Sequence, residues 1–312
     1  MGTPEFAVET LKVLVENDYN VVAVVTQPDK PVGRHGSVLQ PSPVKQYALA
    51  HQLPVLQPEK MKDPGFVEEL RSYEANLQVV VAFRMLPEVV WAMPLYGTFN
   101  VHAALLPQYR GAAPINWAVI NGETRTGVTT FFLDHDIDTG RIIAQLPFDI
   151  PDEADVEYVY DGLMQLGARL CLETLERIVA ADGHPASQPQ PGVADLKTAP
   201  KLFKENCMVD WQQSAKQVYD FVRGLSPYPG AWTTLCTADG HEQVLKLYRT
   251  AKSGQPRGHH AVGQLLAEGR RIYAVCADEL LEIVELQLAG KKRMDAASFL
   301  NGLKSREGLS VR

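Results

Sequence analysis

The residues most able to do chemistry stand together in the segment Asn100-Val101-His102, which carries a carboxamide and an imidazole two positions apart. On an extended strand alternate side chains share a face, so Asn100 and His102 should point into one site with Val101 packed behind them. Downstream, Asp138 precedes a Gly-containing turn that could bring its carboxylate to the same cleft. Fixed polar donors beside a carboxylate suit acyl-type transfer, in which negative charge develops on a carbonyl oxygen.

The residues around Asp138 also resemble the ligands of a divalent metal ion, because Asp134, His135 and Asp136 lie close by in the sequence. If the segment is extended, Asp136 and Asp138 share one face and His135 lies on the other. A solvated acidic loop is therefore the stronger alternative, and we predict no metal site.

Strand-like and helix-like segments alternate around these residues. The runs Val21–Val25 and Val79–Phe83 are typical of strands that are buried on both faces of a parallel sheet. Helical patterns cover Phe6–Val15, Val44–His51 and Phe66–Tyr73. This alternation predicts a doubly wound α/β domain with a mostly parallel sheet.

The beginning of the sequence departs from that pattern. A domain of this kind normally opens with a strand, whereas this chain starts at the Met1–Pro4 turn that should follow one. We therefore expect the first strand to be absent, through either a late assigned start or truncation. The mass of the intact native protein would decide between them.

The composition changes after the helical pattern at Ala154–Ala180. His184–Gly192 is rich in Pro and polar residues, which is typical of an extended linker between domains. Beyond a helix near Ser214–Gly224, strand-like segments separated by turns predict a small β-barrel; they lie at 231–236, 244–248, 271–276 and 280–288. We therefore expect a catalytic domain at 1–183, a linker at 184–202 and a barrel domain at 203–312.

The charge of the chain differs between its two halves. Residues 1–196 hold 13 Lys and Arg against 25 Asp and Glu, a net charge of −12, whereas residues 197–312 hold 17 against 12, a net charge of +5. A catalytic domain joined to a domain that binds a polyanion would show this asymmetry. Chance variation of the surface would explain it about as well.

Cysteine spacing and hydropathy limit the class of protein. The cysteines, at 171, 207, 236 and 276, show no Cys-x-x-Cys spacing, so neither a zinc site nor a disulfide framework is indicated. No stretch approaches the roughly 20 apolar residues of a membrane span, and no leader-like segment opens the sequence. We expect buried thiols and a cytoplasmic protein without a membrane partner.

Two further segments could contact ligands. Arg34, His35 and Lys45 lie in or beside a long Gly- and Pro-containing loop and could contact phosphates. Phe83–Pro87 stands at the end of a predicted central strand, where open α/β sheets bind their ligands, and could form an apolar wall for a flat ring. Ordinary core packing is an equal alternative for this wall.

Read end to end, the chain resembles the methionyl-tRNA formyltransferase family from Met1 to about Gly302. The first domain carries the family motifs Asn100-x-His102, Leu105-Leu106-Pro107, Arg110-Gly111-Ala112-Ala113-Pro114, Gly122-Glu123, Thr126-Gly127-Val128-Thr129 and Asp138-Thr139-Gly140. The second domain carries Lys204-Glu205, Asp210-Trp211, Arg223–Trp232, Gln287, Gly290-Lys291, Met294 and Phe299-Leu300.

This resemblance implies a Rossmann-like catalytic domain followed by an OB-like barrel, and we expect the chain to be a monomer. It also implies transfer of the formyl group of 10-formyltetrahydrofolate to the α-amine of initiator methionyl-tRNA, for translation initiation. Asn100 and His102 would then hold the oxyanion, and Asp138 would orient His102 and assist proton removal. No metal is implied.

The resemblance also implies where the two substrates bind. The donor would contact Arg84, Met85, Leu86, Ala104, Leu105, Leu106, Pro107, Asp134, Asp136 and Ile137. The tRNA would contact Arg34, Lys45, Lys204, Arg223, Lys291 and Lys292.

Three other functions stay open at this point. The same superfamily includes N-formyltransferases that act on amino sugar nucleotides, and formyltetrahydrofolate hydrolases. A nucleic-acid-binding module with a vestigial enzyme domain is an alternative from another class. Formylation of an amino sugar, release of formate without an acceptor, and tRNA binding without turnover would distinguish them.

Overall fold

The computed structural model describes residues 1–32, 38–303 and 305–312. The chain forms two compact units. The first comprises Met1–Gly111, Arg125–Asp149 and Tyr160–Thr198, and the second comprises Ala112–Thr124, Ile150–Val159 and Ala199–Arg312. The boundary at residue 198 falls inside the expected linker 184–202. The sequence did not predict that Ala112–Thr124 and Ile150–Val159, which precede this boundary, belong to the second unit.

The helices begin and end where local signals favour it. They are α1 (Glu5–Glu16), α2 (Pro43–Ala50), α3 (Pro64–Ser72), α4 (Glu88–Trp91), α5 (Pro114–Ile120), α6 (Val156–Ala180), α7 (Ala215–Leu225) and α8 (Ala296–Asn301). Helices α2 and α3 each start with proline, and the side chains of Ser42 and Asp63 accept N–H bonds from their first turns. In α7, Ser214 and Gln217 form a capping box.

The strands are mostly short. They are β1 (Val24–Val25), β2 (Lys30–Val32), β3 (Val38–Gln40), β4 (Val55–Leu56), β5 (Gln78–Val81), β6 (Thr98–His102), β7 (Arg110–Gly111), β8 (Arg125–Phe132), β9 (Ile142–Asp149), β10 (Thr198–Ala199), β11 (Ala231–Cys236), β12 (Glu242–Pro256), β13 (Leu265–Glu268), β14 (Arg271–Val275), β15 (Glu279–Leu288), β16 (Met294–Asp295) and β17 (Ser310–Val311).

The main sheet of the first unit has the order β5-β6-β8-β9. Strands β5 and β6 are parallel, whereas β8 pairs antiparallel with both β6 and β9. A separate parallel pair joins β1 to β4. Strand β6 therefore has neighbours on both edges, which fixes the direction of its alternate side chains.

Two residues stand where a domain of this kind normally has its first strand. Met1 and Gly2 run between β1 and β5: Gly2 N donates to Val25 O at 3.0 Å, and Val81 N donates to Met1 O at 2.9 Å. The ammonium group of Met1 donates to Val79 O at 2.7 Å. A cavity of about 580 Å³ adjoins Met1, and residues 19–25 and 73–79 and side chains of α1 and α6 line it.

The second unit is a nearly closed antiparallel barrel, as the sequence predicted. Its sheet has the order β13-β14-β15-β12-β11-β17, and β16 pairs with β15. A bridge between Gln264 and Ser310 joins the two ends of this order. Leucine and isoleucine side chains, including the fully buried Leu247, Leu281 and Ile283, fill the interior.

Three of the four free thiols are buried, and Cys236 is partly exposed. Burial raises the pKa of the Cys171 and Cys276 thiols to about 12, so both are protonated at neutral pH. None of the helices in the described part of the chain combines the length and apolarity needed to cross a membrane.

Candidate active site

Asn100 and His102 lie on one face of β6, and Val101 packs behind them with only 2% of its surface exposed. On the neighbouring strand β8, Phe131 pairs with Asn100 and Thr129 pairs with His102. The oxygen Oδ1 of Asn100 is buried, and no hydrogen-bond partner for it lies within the described residues. Burial of a carboxamide oxygen without a hydrogen-bond partner costs free energy in the free protein. Such an atom is typical of a site where a ligand supplies the missing hydrogen bond.

Both ring nitrogens of His102 face polar groups of the same unit. Nε2 lies 2.9 Å from the carbonyl oxygen of Tyr109. Because a carbonyl oxygen only accepts, Nε2 carries the proton in the neutral ring. Nδ1 then holds the lone pair and lies 3.9 Å from Oδ2 of Asp138. The structure therefore directs Nε2–H to the carbonyl oxygen of Tyr109, and the role of His102 as a donor to an oxyanion stays a prediction.

The loop that carries Asp138 connects β8 to β9. Asp138 has a left-handed backbone with φ +55°, and its Oδ2 accepts the N–H of Gly111 at 2.9 Å. Gly140 fits where no larger residue could, because a Cβ there would lie 1.7 Å from the carbonyl oxygen of Phe132. This close approach holds the loop against β8 and Asp138 beside His102.

The hydroxyl of Thr129, to which the sequence analysis gave no role of its own, fixes the turn after β6. Thr129 Oγ1 donates to Ala104 O at 2.6 Å and accepts the N–H of Leu106 at 3.1 Å. Gln145 Nε2 donates to the same hydroxyl and to Leu106 O, both at 2.9 Å. Alternation on β8 opposite His102 could have identified Thr129, whereas the position of Gln145 depends on the pairing of β8 with β9.

The segment Arg84-Met85-Leu86 divides between surface and core. Met85 is 71% exposed, whereas Leu86 is buried in a hydrophobic cluster. The guanidinium of Arg84 donates to Glu59 O at 2.8 Å and to Pro58 O, and its buried Nε has no partner within the described residues. Met85 of the expected apolar wall is therefore available to contact a ring.

The acidic loop residues are partly engaged with their own backbone. Asp134 accepts the N–H of His135 at 2.7 Å, the carbonyl of Asp136 accepts the hydroxyl of Thr139 at 3.1 Å, and Ile137 is 57% exposed. Across residues 1–32, 38–303 and 305–312, no three His, Cys, Asp or Glu side chains converge as metal ligands would.

Comparison with known proteins identifies the family. The family model "Formyl transferase" matches residues 1–175, and "Formyl transferase, C-terminal domain" matches residues 201–304. A methionyl-tRNA formyltransferase of Parabacteroides distasonis is 59% identical, over 97% of this chain and 94% of that protein. Another, from Phocaeicola vulgatus, is 57% identical over 100% of this chain and 97% of that protein.

The chain belongs to the methionyl-tRNA formyltransferase family. The family and the formyl-transferring class of enzyme predicted from the sequence are therefore confirmed. The sugar 3N-formyl transferase WlaRD, solved in the presence of dTDP and 5-N-formyl-THF, has a similar fold. It superposes with a TM-score of 0.66 at 16% identity, over 93% of this chain and 97% of that chain.

The methionyl-tRNA formyltransferase family resemblance also suggested basic residues that would contact tRNA, and two of these are already paired. Lys45 Nζ lies 2.7 Å from Oδ2 of Asp29, and this contact lowers the pKa of that carboxyl. Arg223 is 6% exposed, and it donates to Asp220 Oδ1 and to Ala154 O, both at 2.8 Å. The guanidinium of Arg223 is thus enclosed and its charge is paired in the free chain, and a contact of Arg223 with tRNA stays a prediction.

Exposed cations of this family member occur elsewhere on the second unit. Lys204, Lys291 and Lys292 are exposed, and Lys204 Nζ lies 5.8 Å from the centre of the Trp232 ring. Tyr228 is 82% exposed. Exposed cations and aromatic rings together are suited to a nucleic acid, since they contact phosphates and bases respectively. Arg34, also expected at the tRNA, lies outside the described residues.

Proposed function

We propose that this chain transfers the formyl group of 10-formyltetrahydrofolate to the α-amine of methionine on initiator tRNA. We further propose that Asn100, His102 and Asp138 carry out the transfer. Membership of the methionyl-tRNA formyltransferase family supports the reaction. The observation that best supports the residue roles is the distance of 3.9 Å between His102 Nδ1 and Asp138 Oδ2, on the face that also holds Asn100.

The reaction forms a bond between the amine nitrogen and the formyl carbon and breaks the bond from that carbon to the donor nitrogen. The amine loses a proton, and the departing nitrogen gains one. His102 Nδ1, with its lone pair towards Asp138, accepts the proton, directly or through a water molecule. The carboxylate of Asp138 then stabilises the imidazolium that results.

Asn100 has the complementary role in this proposal. Its NH₂ group can donate a hydrogen bond to the formyl oxygen as negative charge develops there. Its oxygen Oδ1, which is buried without a partner in the described part of the chain, can accept a hydrogen bond from the attacking amine. One carboxamide would thus contact both reacting groups, and His102 Nε2 would stay on the carbonyl of Tyr109.

The folate donor would contact segments of the first unit that surround this face. The exposed apolar side chains of Met85 and Ile137 are available to a flat ring. Arg84, Leu86 and the buried turn Ala104–Pro107 would complete the site, together with the backbone near Asp134 and Asp136. The hydroxyl of Thr129 holds that turn in place.

The tRNA would contact the second unit through Lys204, Lys291 and Lys292, and Arg34 and Lys45 would contribute from the first unit. The net charge of +5 in residues 197–312 supports this surface, since phosphate neutralisation is a main source of affinity for nucleic acids. We also propose that the chain acts as a cytoplasmic monomer.

A comparison of acceptors tests the function. The purified chain is given 10-formyltetrahydrofolate with charged initiator tRNA, with a panel of amino sugar nucleotides, or with no acceptor. We expect rapid formylation of methionyl-tRNA alone. Faster formylation of an amino sugar, or release of formate without an acceptor, would replace the proposal with one of the other superfamily activities. Binding of tRNA without turnover would indicate a binding module.

A further inference from the structure

A Pro-rich segment that the sequence predicted to be a linker contacts the loop of Asp138 in the first unit. Gln188 and Ile142 exchange two backbone hydrogen bonds, at 2.8 and 2.9 Å. Nearby, Arg141 Nε donates to Ser187 Oγ at 3.0 Å. This pairing places Gln190, two residues further along, beside the loop between β8 and β9.

The carboxamide of Gln190 uses its full hydrogen-bonding capacity. Its Nε2 donates to the carbonyl oxygens of Asp138 at 2.7 Å and of Gly140 at 2.9 Å. Its Oε1 accepts from Arg110 Nε at 3.1 Å and from Arg110 Nη2 at 2.6 Å. A primary amide has two donors and two acceptor lone pairs, so each is engaged.

These bonds connect the backbone partners of His102 and Asp138. Arg110 stands between Tyr109, whose carbonyl oxygen faces His102 Nε2, and Gly111, whose N–H binds Asp138 Oδ2. The NH₂ group of Gln190 donates to the backbone carbonyl oxygen of Asp138. One side chain therefore sets the position of the Asp138 loop relative to the turn that orients His102.

The backbone of Asp138 needs such support. A non-glycine residue with φ +55° is disfavoured by about 1 kcal/mol or more, so it persists only where its surroundings fix it. A small displacement of this residue would change the separation of 3.9 Å between Asp138 Oδ2 and His102 Nδ1. Misplacement of about 1 Å in a catalytic arrangement can lower a rate by about 100-fold.

We infer that Gln190 is a positioning residue for formyl transfer. It acts by fixing the position of the Asp138 loop relative to Arg110. The inference rests on the proposed roles of His102 and Asp138. Gln190 touches neither reacting group. It therefore acts on turnover through Asp138 and not on the affinity for tRNA.

The test compares Gln190→Ala with Gln188→Ala. Gln188 is a matched control because it lies in the same segment, is exposed, and contacts β9 through its backbone. We expect Gln190→Ala to lower kcat about 10- to 100-fold while KM for both substrates stays within about twofold. Gln188→Ala should keep the parent kcat, and thermal unfolding should show that both variants are folded.

A second variant separates the two halves of the amide. Gln190→Glu can still accept from Arg110 but places a carboxylate oxygen against two carbonyl oxygens, so we expect it to be no more active than Gln190→Ala. Recovery of the parent kcat in Gln190→Glu would mean that the contact with Asp138 is unimportant. A Gln190→Ala variant with kcat within twofold of the parent, or with equal losses in kcat and in affinity, would overturn the inference.

Hydrogen exchange keeps this test separate from the proposed function. The amide of Gly111 binds Asp138 Oδ2 at 2.9 Å, so we expect it to exchange faster in Gln190→Ala and at the parent rate in Gln188→Ala. If the unaltered chain does not formylate methionyl-tRNA, the proposed function fails. The exchange rate of Gly111 then decides by itself whether Gln190 holds Asp138, and an unchanged rate would exclude it.

Discussion

Oδ2 of Asp138 lies 3.9 Å from Nδ1 of His102 and accepts the N–H of Gly111 at 2.9 Å. One carboxylate oxygen is thus fixed by the backbone while it faces the ring nitrogen that carries the lone pair. In the proposed mechanism this carboxylate would stabilise the positive charge on His102 after its Nδ1 accepts a proton from the attacking amine. In this mechanism the contribution of His102 to the rate depends on Asp138, and that of Asp138 depends on His102.

Removal of the imidazole tests this pair. We expect His102→Ala to lower kcat for formylation of methionyl-tRNA at least about 100-fold, since the proton acceptor is lost. The effect of Asp138→Asn should be smaller than additive with it in a double-mutant cycle. His260→Ala, an exposed histidine of the second unit, is the control. A His102→Ala variant with near-normal turnover would remove His102 from the mechanism.

Asn100 should affect activity far more than stability. We expect Asn100→Ala to lower kcat about 100-fold. Its free energy of unfolding should stay within about 1 kcal/mol of the parent, because the buried Oδ1 has no partner to lose among the described residues. Thr129→Val is a useful contrast: it removes a fully buried hydroxyl with several partners and should destabilise the protein by about 1–3 kcal/mol. Chemical denaturation measures both, and a large loss of stability in Asn100→Ala would contradict the assignment.

The buried pair in α7 should stabilise the second unit strongly. Asp220 and Arg223 are both nearly enclosed, and Arg223 Nε lies 2.8 Å from Asp220 Oδ1. We expect Asp220→Ala to cost about 3–5 kcal/mol of unfolding free energy, because Arg223 would keep a buried, uncompensated charge. Lys216, which also pairs with Asp220, is 48% exposed, and Lys216→Ala should cost less than about 1 kcal/mol. Equal losses in the two variants would show that burial does not matter here.

The exposed lysines should act on the tRNA alone. We expect the double variant Lys291→Ala, Lys292→Ala to raise KM for methionyl-tRNA several-fold. We also expect it to reduce the slope of log KM against log salt concentration by about 1–2. Each phosphate contact that is lost lowers the number of counterions released when tRNA binds. The KM for the folate donor should not change. Lys60→Ala, Lys62→Ala, at two exposed cations of the first unit, is the control. The same shift in that control would mean that only total charge matters.

The sequence predicted those parts of the fold that depend on local patterns. Alternation placed Asn100 and His102 on one face, and strand β11 begins and ends where it was expected. Strand β13 was missed because it has only four residues, Leu265–Glu268, which is too short for a period to show. Strand β12 was expected to be much shorter, since Lys, Arg and Gly interrupt its apolar pattern.

The parts of the site that were not predicted depend on contacts between distant segments. Composition indicated a linker at His184–Gly192, and no local signal shows that Gln188 pairs with Ile142. Arg223 was expected at the tRNA because of the family resemblance, and its enclosed position in the second unit was not predicted. In that case a local signal existed, because Asp220 lies three residues earlier on the same helix and can pair with it.

The pairing of Gln188 with Ile142 has a practical consequence for protein engineering. A fragment that ended at residue 183 would lack the amide that binds the carbonyl oxygens of Asp138 and Gly140. A fragment intended to keep the loop of Asp138 intact should therefore extend beyond Gln190.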